Sequence, residues 1–421
     1  MGMNCIEKII SNHANKSKVV PGQIVEVSVD YVMTNDATTA LGIDIFKKQV
    51  LGKKVWNSEK LIMVMDHYTP SNSVASAEYH KRMRDFAQEQ NLKYVYDGCG
   101  VCHQLMVENH VVPGNLVIGA DSHTCTYGGL GVLSTGMGST DIAVSWLEGK
   151  TWMKVPYTIK VVLNGKLNKA VQAKDIILRI IKDLSVSGAT YKGIEFYGEV
   201  IDEMSISSRL TLCNMAIEAG AKFAYIPPDK KTIEFIQSRG RVAQELVYPD
   251  EDASYERVLE YDVTDLEPQV ALPHSVDNVM DISECEGIEL DEIFLGACTN
   301  GRLEDLEIAA TILKGKKISN KVRFLVTPAS RDVYVEALDK GIIKTLIESG
   351  AMINNPGCST CFGATNGLLG KGEKLLSTAN RNFKGRVGSS ESEIYLASPA
   401  TIAASALFGK ITDPRRVINN D

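Results

Sequence analysis

The sequence predicts an α/β protein, and three observations support this class. Strand-like apolar runs alternate with helix-length segments along all 421 residues, as in proteins that pack helices on parallel sheets. Hydrophobic residues make up 44% of the chain and charged residues 23%, which allows a large core. Several apolar runs end directly in polar residues, as strands do where a parallel sheet presents a ligand site. The length predicts two or three domains.

Four of these runs end in side chains that can carry chemistry. They are Lys60–Met65 before Asp66-His67, Leu116–Ala120 before Asp121-Ser122-His123, Ile293–Ala297 before Cys298-Thr299-Asn300, and Lys374–Ala379 before Asn380-Arg381-Asn382. Many strands end in polar residues for local reasons alone. Four ends that bear His, Asp, Cys and Arg nevertheless predict one convergent site.

Two segments predict helices with identifiable ends. In Asp202–Gly220 the apolar residues recur at helical spacing, and Gly220 is placed to stop the helix. Ser398–Leu407 is rich in alanine, with Ser398 placed to cap it and Pro399 at the first helical position. Both predictions concern local structure only.

Domain boundaries are predicted at two places. A strand-like segment ends in Asn164-Gly165, and an acidic, proline-containing stretch covers Tyr248–Pro273. We therefore expect three αβα subdomains at residues 1–162, 163–285 and 286–421. No internal repeat is visible in the sequence.

Composition excludes several classes of partner. The net charge of -7 and the pI of about 5.7 argue against binding of nucleic acid or anionic membranes. No run of about 20 apolar residues is present to span a bilayer. Met1–Val20 lacks an apolar signal core, and nine cysteines in such a chain fit a reducing compartment. We expect a cytoplasmic protein that binds neither nucleic acid nor membranes.

Three cysteines suggest a metal centre. Cys358-Ser359-Thr360-Cys361 follows Asn355-Pro356-Gly357, and a single C-x-x-C of this kind fits a redox pair, half a zinc site or a cluster. Cys298 lies sixty residues upstream at a predicted strand end. Three thiolates would leave a four-iron cluster one ligand short. An open iron suits Lewis-acid catalysis, whereas a full thiolate set suits electron transfer.

A second cysteine pattern has the form C-x-x-C-H. Cys99-Gly100-Val101-Cys102-His103 matches the attachment motif of c-type haem. Haem attachment normally accompanies export, for which the sequence shows no signal. We expect Cys99 and Cys102 to pack near the site or to form a regulatory thiol pair.

Taken together, eight motifs resemble the aconitase superfamily, and most closely the large subunits of its split members: isopropylmalate isomerase, homoaconitase and dimethylmalate dehydratase. The motifs run from residue 35 to residue 386 in the family's order. They are Asn35-Asp36-Ala37-Thr38, Asp66-His67, Cys102-His103-Gln104, Gly119-Ala120-Asp121-Ser122-His123-Thr124, Cys213-Asn214-Met215, Gly296-Ala297-Cys298-Thr299-Asn300, Pro356-Gly357-Cys358-Ser359-Thr360-Cys361 and Asn380-Arg381-Asn382-Phe383-Lys384-Gly385-Arg386.

The resemblance implies three αβα subdomains around one [4Fe–4S] cluster, with Cys298, Cys358 and Cys361 as ligands and one iron open. It also implies a fourth, swivelling domain, for which this chain has no room before Asp421. We expect that domain on a separate small subunit, which in the family carries the catalytic serine base.

The reaction implied by the resemblance is the reversible loss of water from a 2-hydroxy acid, catalysed by a hydro-lyase. The substrate would be a small dicarboxylate, either 3-isopropylmalate of leucine biosynthesis or 2,3-dimethylmalate, with homoaconitate as a third candidate. The expected acid–base residues are Asp66, His67, His103, Asp121, His123 and Glu218. The expected substrate-binding residues are Asn35, Ser122, Asn214, Asn380, Arg381 and Arg386.

The chemistry of these residue types agrees with those roles. A carboxylate beside an imidazole orients the ring and raises its basicity, and three of the seven histidines fall in the motifs. Arg381 and Arg386 can each bind a carboxylate through two parallel hydrogen bonds. Asn214 and Glu218 are four residues apart, so a helix would place them on one face.

Two alternatives come from other functional classes. One is an iron-responsive RNA-binding regulator, which the acidic charge balance disfavours. The other is a zinc hydrolase that uses Cys358, Cys361 and a histidine. Metal analysis after anaerobic purification separates zinc from a cluster, and a salt-sensitive RNA-binding assay tests the regulator.

Overall fold

The computed structural model describes residues 2–49 and 54–418, and it confirms the predicted α/β class. The chain forms two compact units, and each is discontinuous in sequence. The first unit comprises Met1–Asp97, Leu105–Leu163 and Ala189–Tyr261, and the second comprises Gly98–Gln104, Asn164–Gly188 and Asp262–Asp421.

The predicted division into three segments stays a prediction. The chain passes from the first unit to the second after Leu163, one residue beyond the boundary expected at residue 162. The other expected boundary, after residue 285, falls within the second unit.

The first 164 residues form a series of helices and strands, and five of these strands make the central sheet of the first unit. The elements are α1 (Cys5–His13), β1 (Ile24–Ser28), β2 (Tyr31–Asn35), α2 (Thr39–Gln49), β3 (Leu61–Met65), α3 (Val74–Gln90), β4 (Tyr94–Asp97), α4 (Cys102–Asn109), β5 (Leu116–Gly119), a 3₁₀ helix (Ser122–Leu130), β6 (Leu133–Gly136), α5 (Ser139–Glu148), β7 (Lys150–Lys154) and β8 (Thr158–Asn164). The central sheet has the order β4-β3-β2-β5-β6, and all its strands are parallel.

The middle of the chain adds a smaller sheet. Its elements are α6 (Ala173–Leu184), β9 (Gly193–Tyr197), α7 (Glu199–Glu203), α8 (Ile206–Met215), a 3₁₀ helix (Ala216–Ala219), β10 (Phe223–Tyr225), α9 (Lys230–Ser238) and β11 (Arg257–Asp262). The sheet has the order β10-β9-β8-β11, while β1 and β7 form a separate antiparallel pair.

The remaining elements build the large sheet of the second unit. They are β12 (Gln269–Ala271), β13 (Val279–Asp281), α10 (Ile282–Cys285), β14 (Glu292–Leu295), α11 (Ala297–Asn300), α12 (Leu303–Leu313), β15 (Arg323–Val326), α13 (Arg331–Asp339), α14 (Ile342–Ser349), β16 (Met352–Ile353), a 3₁₀ helix (Ser359–Cys361), β17 (Lys374–Ser377), β18 (Glu393–Leu396), α15 (Pro399–Phe408) and a 3₁₀ helix (Pro414–Arg416). The order is β13-β12-β18-β17-β14-β15-β16, and the five strands from β14 to β18 are parallel.

The two units repeat one strand topology. Among the five parallel strands of each sheet, the first in the chain (β2 or β14) lies in the middle, the next two extend to one side, and the last two extend to the other. The crevice where the direction of strand addition reverses lies between β2 and β5 in the first unit, and between β14 and β17 in the second. Ligands of open parallel sheets bind beyond the carboxyl ends of the strands at such a switch point.

An apolar core in each unit makes a rigid base for the switch points. In β3 all five residues are buried, so the strand is covered on both faces, as expected for a parallel sheet flanked by helices. The second core is built in the same way, from β14, β15 and the helices α12 and α15 that cover them. Within residues 2–49 and 54–418, no helix is long and apolar enough to cross a membrane.

The prediction of one helix over Asp202–Gly220 is wrong. The chain leaves the helical conformation at Met204, and a new helix starts because the Ser205 side chain accepts a hydrogen bond from the Ser208 N–H. The last turn is a 3₁₀ helix that ends at Gly220, whose φ of 86° confirms its role as a stop. The helix after Ser398 is confirmed with Pro399 in its first turn, although the Ser398 side chain makes no capping hydrogen bond.

Candidate active site

The four predicted strand ends lie at or next to the two switch points, two in each unit. In the first unit, Asp66-His67 follows β3 and Asp121 follows β5, and these strands flank β2. Asn35 is the last residue of β2, and its side-chain amide donates to Asp121 Oδ2 over 3.2 Å. The structure therefore brings Asn35, Asp66, His67 and Asp121 together, as the sequence predicts.

His67 is surrounded by carboxylates. Its Nδ1 lies 2.8 Å from Asp66 Oδ1 and 3.6 Å from Asp36 Oδ1, and its Nε2 lies 3.6 Å from Asp121 Oδ2. The first distance is that of a hydrogen bond, and the others are those of ion pairs. Three negative charges favour the imidazolium form, so this histidine is suited to donate a proton.

A second histidine–carboxylate pair lies beside the first. Asp121 caps the 3₁₀ helix Ser122–Leu130 by accepting from the His123 N–H over 2.8 Å. His123 Nε2 is 2.7 Å from Glu218 Oε1, and both side chains are buried. Ser122 is only partly buried, and its Oγ is 3.5 Å from His123 Nδ1.

Asn214 and Glu218 do not share an α-helical face, because the α-helix ends at Met215 and continues as a 3₁₀ turn. Both nevertheless contact the segment Ser122–Leu130. The Asn214 amide donates to Thr126 Oγ1 over 2.8 Å, and Glu218 contacts His123. The long range of these contacts explains why helical spacing alone did not describe them.

Two glycines allow this segment to lie close to its neighbours. A Cβ on Gly128 would lie 1.9 Å from the Ala224 carbonyl oxygen, and one on Gly129 would lie 2.8 Å from the Leu210 backbone nitrogen. Real side chains do not approach backbone so closely. A side chain at either position would therefore force the two backbone segments apart.

A cavity of about 570 Å³ opens beside Asp121 and Ser122 in the first unit. Its other lining residues include Met137, Met153 and Ile217, so its wall is largely apolar. The cavity is large enough for a small dicarboxylate with an aliphatic branch.

The second unit holds the three cysteines. Cys298 lies in α11 directly after β14, and Cys358 and Cys361 flank the turn after β16. All three are buried. Asn380, after β17, connects two of them: its Nδ2 is 3.5 Å from Cys298 Sγ, and its Oδ1 is 3.5 Å from Cys361 Sγ. Asn380 is therefore placed against two of the three cysteine sulfur atoms, and its predicted contact with substrate stays a prediction.

The backbone next to these cysteines is strained. Ala297, just before Cys298, has φ of 69°, and Ser359, just after Cys358, has φ of 52°. The left-handed conformation costs a non-glycine residue roughly 1 kcal/mol or more, and such strain is concentrated at functional sites. The turn is held in place because Ser359 Oγ bonds to Thr327 Oγ1 and to Asn366 Oδ1.

A zinc ion and a cluster require different spacings of their cysteine ligands. One zinc ion would bring its sulfur ligands within about 4 Å of one another, because Zn–S bonds are about 2.3 Å long. Among the described residues, no three-ligand group that includes Cys298, Cys358 or Cys361 has its ligand atoms within 4.8 Å of one another. Analysis of zinc, iron and sulfide in anaerobically purified protein decides between the cluster and the zinc hydrolase alternative.

A buried arginine that sequence reasoning missed holds the Cys298 loop. The Arg302 guanidinium donates to the carbonyl oxygens of Cys298 and Thr299 over 2.6 and 2.8 Å, and to Gln104 Oε1 over 3.1 Å. Gln104 belongs to one of the eight motifs, but sequence reasoning assigned it no role. An arginine two residues after Asn300 could have been expected to bond back to the loop. The burial of Arg302, in contrast, depends on the fold.

We expect Arg302→Lys to lower the free energy of unfolding by about 3 kcal/mol, because the single nitrogen of an ammonium cannot reach three acceptors that are arranged around the separate nitrogens of a planar guanidinium. Urea unfolding of both proteins checks this. The matched control is Arg323→Lys in the same unit, where a partly exposed guanidinium pairs with Glu292 and Glu373, and the expected loss is below about 1 kcal/mol. Equal losses in the two variants would contradict the anchoring role.

The two predicted substrate arginines differ in what the structure shows. Arg386 Nε donates to the Cys361 carbonyl oxygen over 3.0 Å, which fixes this side chain at the cysteine turn. Arg381 is partly buried and follows Asn380. Lys174, which the sequence did not single out, is fully buried and donates to the carbonyl oxygens of Thr378 and Ala379, so it holds the strand end that leads to Arg381.

His103 belongs to a short segment of the second unit, Gly98–Gln104. The Val101 N–H donates to the Ala329 carbonyl oxygen, and Val101 packs against Cys298. His103 is buried in the first turn of α4, and its predicted role in acid–base chemistry stays a prediction. Cys102 is fully buried, and Cys99 is partly buried. The convergence of the strand ends of both units on one site stays a prediction.

A family model matches most of the chain. The model described as Aconitase family (aconitate hydratase) matches residues 7–286 and 283–409. Among solved structures, the chain resembles the holo-form of aconitase X from Thermococcus kodakaraensis, with a TM-score of 0.51, 13% identity, and coverage of 92% of this chain and 94% of that one. At this identity the likeness concerns the fold alone.

Curated relatives cover nearly the whole chain. The 3-isopropylmalate dehydratase large subunit 1 of Methanopyrus kandleri is 48% identical over 417 residues, 99% of each chain. The corresponding protein of Archaeoglobus fulgidus is 49% identical over 421 residues. A probable methanogen homoaconitase large subunit of Methanosarcina mazei is 49% identical over 391 residues, which are 92% of this chain and 99% of that one.

Proposed function

The chain belongs to the aconitase family, and from this premise we propose that it is the large, cluster-binding subunit of a hydro-lyase that reversibly dehydrates 3-isopropylmalate. The observation that carries the proposal is the identity of 47–49%, over almost the whole chain, to several relatives named 3-isopropylmalate dehydratase large subunit. The sequence left 2,3-dimethylmalate level with 3-isopropylmalate, and these names favour the latter. Homoaconitate is the second candidate substrate, because a relative of equal identity is named a probable methanogen homoaconitase large subunit.

Cys298, Cys358 and Cys361 would hold a [4Fe–4S] cluster, the cofactor typical of the family. Their burial and the contacts of Asn380 with two of their sulfur atoms support this assignment, and three ligands leave one iron without a protein side chain. When bound, the cluster supplies a Lewis acid that draws charge from the hydroxyl being lost. Asn380 and Arg302 hold two of the ligand segments in place.

The titratable residues of the first unit would donate and accept protons during the reaction. His67, kept protonated by Asp66, Asp36 and Asp121, would act as the general acid that protonates the departing hydroxyl. His123 with Glu218 is a second acid–base pair. Asn35, Ser122 and Asn214 offer neutral hydrogen bonds to the substrate, and the apolar wall beside Ser122 can accept an aliphatic branch.

The relatives are named large subunits, so we propose that this chain works with a small subunit. By the family resemblance, that subunit would carry the swivelling domain and the catalytic base. The cytoplasmic location and the absence of nucleic-acid binding stay predictions. A salt-sensitive RNA-binding assay with an unrelated acidic protein as control tests the second of these.

The direct test is to co-produce the chain with its small subunit under anaerobic conditions and to measure water loss from 3-isopropylmalate, 2,3-dimethylmalate and homocitrate. We expect the highest kcat/KM with 3-isopropylmalate. Preference for homocitrate would transfer the assignment to homoaconitase. Absence of turnover with all three, in protein with a full iron content, would overturn the proposal.

We expect Arg386→Lys to lower kcat/KM by about tenfold or more, because lysine loses the two parallel bonds that a guanidinium makes to a carboxylate. Folding and iron content should change little. The kinetics of the variant are compared with those of Arg416→Lys, which alters an exposed arginine of the same unit paired with Glu286. Unchanged kinetics in Arg386→Lys would remove this residue from substrate binding.

A further inference from the structure

Strand β2 has an aspartate bound to a histidine at each end. Before the strand, Asp30 Oδ2 is 2.9 Å from His13 Nε2, and this carboxylate also accepts from the Leu116 N–H. After the strand, Asp36 Oδ2 is 2.8 Å from His80 Nε2. Only the second aspartate lies at the carboxyl end of the sheet, where the proton-handling residues are.

The Asp36 carboxylate accepts hydrogen bonds from four different groups. Its carboxylate accepts from the backbone N–H groups of Asp66, His67 and Tyr68 over 3.3, 2.9 and 2.9 Å, in addition to His80. Burial alone would raise the pKa of Asp36, but the nearby His67 imidazole and the hydrogen bonds from His80 and the backbone lower it well below its usual value. The group is therefore ionised over the whole working range of pH.

His80 forms the outer layer of this arrangement. It is buried on α3, and its Nδ1 is 2.9 Å from Ser71 Oγ at the protein surface. With one ring nitrogen on Ser71 and the other on Asp36, the ring has a fixed orientation. None of the eight family motifs includes His80.

We propose that Asp36 is a positioning residue for His67, and that His80 holds Asp36 in place for this role. Asp36 would fix the loop Asp66-His67-Tyr68 through its three N–H groups and would keep the His67 imidazole protonated through its charge. The proposal rests on the proposed function, in which His67 is the general acid.

Three carboxylates that face His67 within the first unit come from three strand ends. Asp36 follows β2, Asp66 follows β3 and Asp121 follows β5, and all three are acidic. From α3, His80 faces Asp36 rather than His67. Because Asp66 and Asp121 remain when Asp36 is neutralised, the expected effect is a shift in the titration of His67 and not the loss of its proton-donating ability.

Asp36→Asn should move the alkaline limb of the pH dependence of kcat/KM to lower pH by about one unit or more, because a negative charge near the imidazolium is removed. The sign follows from the charge: a nearby anion stabilises the protonated ring, so its removal lets the proton leave at lower pH. A merely structural role would lower activity uniformly across the pH range. A uniform loss without a shift would therefore overturn the proposal.

The matched control is Asp30→Asn, which neutralises a carboxylate at the other end of the same strand with a similar set of partners. It should cost stability without moving the limb. His80→Leu should lower kcat by about tenfold with little change in KM, and His80→Gln, which keeps an N–H donor for Asp36, should restore most of the loss. Equal activity in the leucine and glutamine variants would reject the role of His80.

A second measurement does not depend on turnover. The full chain is labelled at histidine, its His67 resonance is identified with His67→Gln, and the imidazole is titrated by NMR in wild type and Asp36→Asn. A lower titration midpoint in the variant supports the proposal, and an unchanged midpoint overturns it. If wild-type enzyme dehydrates none of the three substrates, the proposed function fails while this titration still decides the role of Asp36.

Discussion

Cys358→Ser is expected to abolish cluster assembly and, with it, all turnover. A serine hydroxyl is a poor ligand for iron in a site built for thiolates, and the remaining Cys298 and Cys361 cannot hold a cubane alone. Iron and acid-labile sulfide are measured after anaerobic purification. We expect about four of each per wild-type chain and close to none in the variant.

The matched control is Cys285→Ser. Cys285 is also buried in the second unit, at the end of α10, where its Sγ donates to the Asp281 carbonyl oxygen. Burial raises the pKa of this thiol to about 12, so it is a neutral donor that serine can replace. This variant should keep its iron and its activity. A Cys358→Ser protein with full colour and turnover would contradict the ligand assignment.

His67→Gln should lower kcat by about 10²- to 10⁴-fold, since a neutral amide cannot donate the proton that the departing hydroxyl requires. The iron content should equal that of wild type, because no cluster ligand changes. Steady-state kinetics of dehydration, followed across the pH range, provide the measurement. We also expect the alkaline limb to disappear from what activity remains.

His110→Gln is the control for this loss. His110 is a buried histidine of the same unit whose Nε2 lies 2.8 Å from the Tyr96 hydroxyl. Burial, together with Arg241 and Lys60, lowers the pKa of His110 to about 4, so no charge is lost on substitution at neutral pH. A His67→Gln enzyme that retains kcat within about twofold of this control would exclude His67 as the acid.

Most of the correct predictions about fold and family came from the motifs and their order along the chain. The α/β class, the strands before Asp66, Asp121, Cys298 and Asn380, and the family all follow from local patterns, since a strand and the residues after it are contiguous. The identity of the substrate was harder to predict from the sequence, which favoured 3-isopropylmalate and 2,3-dimethylmalate equally. The names of full-length relatives favour 3-isopropylmalate.

Contacts between distant segments were beyond the reach of such patterns. Helical spacing grouped Asn214 with Glu218, whereas the structure pairs Glu218 with His123, 95 residues away. Asp36 belongs to the first of the eight motifs, but the sequence suggested no role for it. The structure shows that it contacts His80 and the backbone of Asp66 and His67. Arg302 looked like an ordinary charged residue until the structure showed it buried against Gln104, 198 residues away.

The sequence alone determined which chemical groups this protein has and on which strand ends they lie, because both are properties of contiguous residues. Only the tertiary structure decided which groups are partners: which carboxylates surround His67, which amide touches Cys298 and Cys361, and which arginine holds their loop. The reason is physical. Partners are chosen by the order in which strands add to a sheet and by how closely buried segments pack, and neither is encoded in the spacing of residues along the chain.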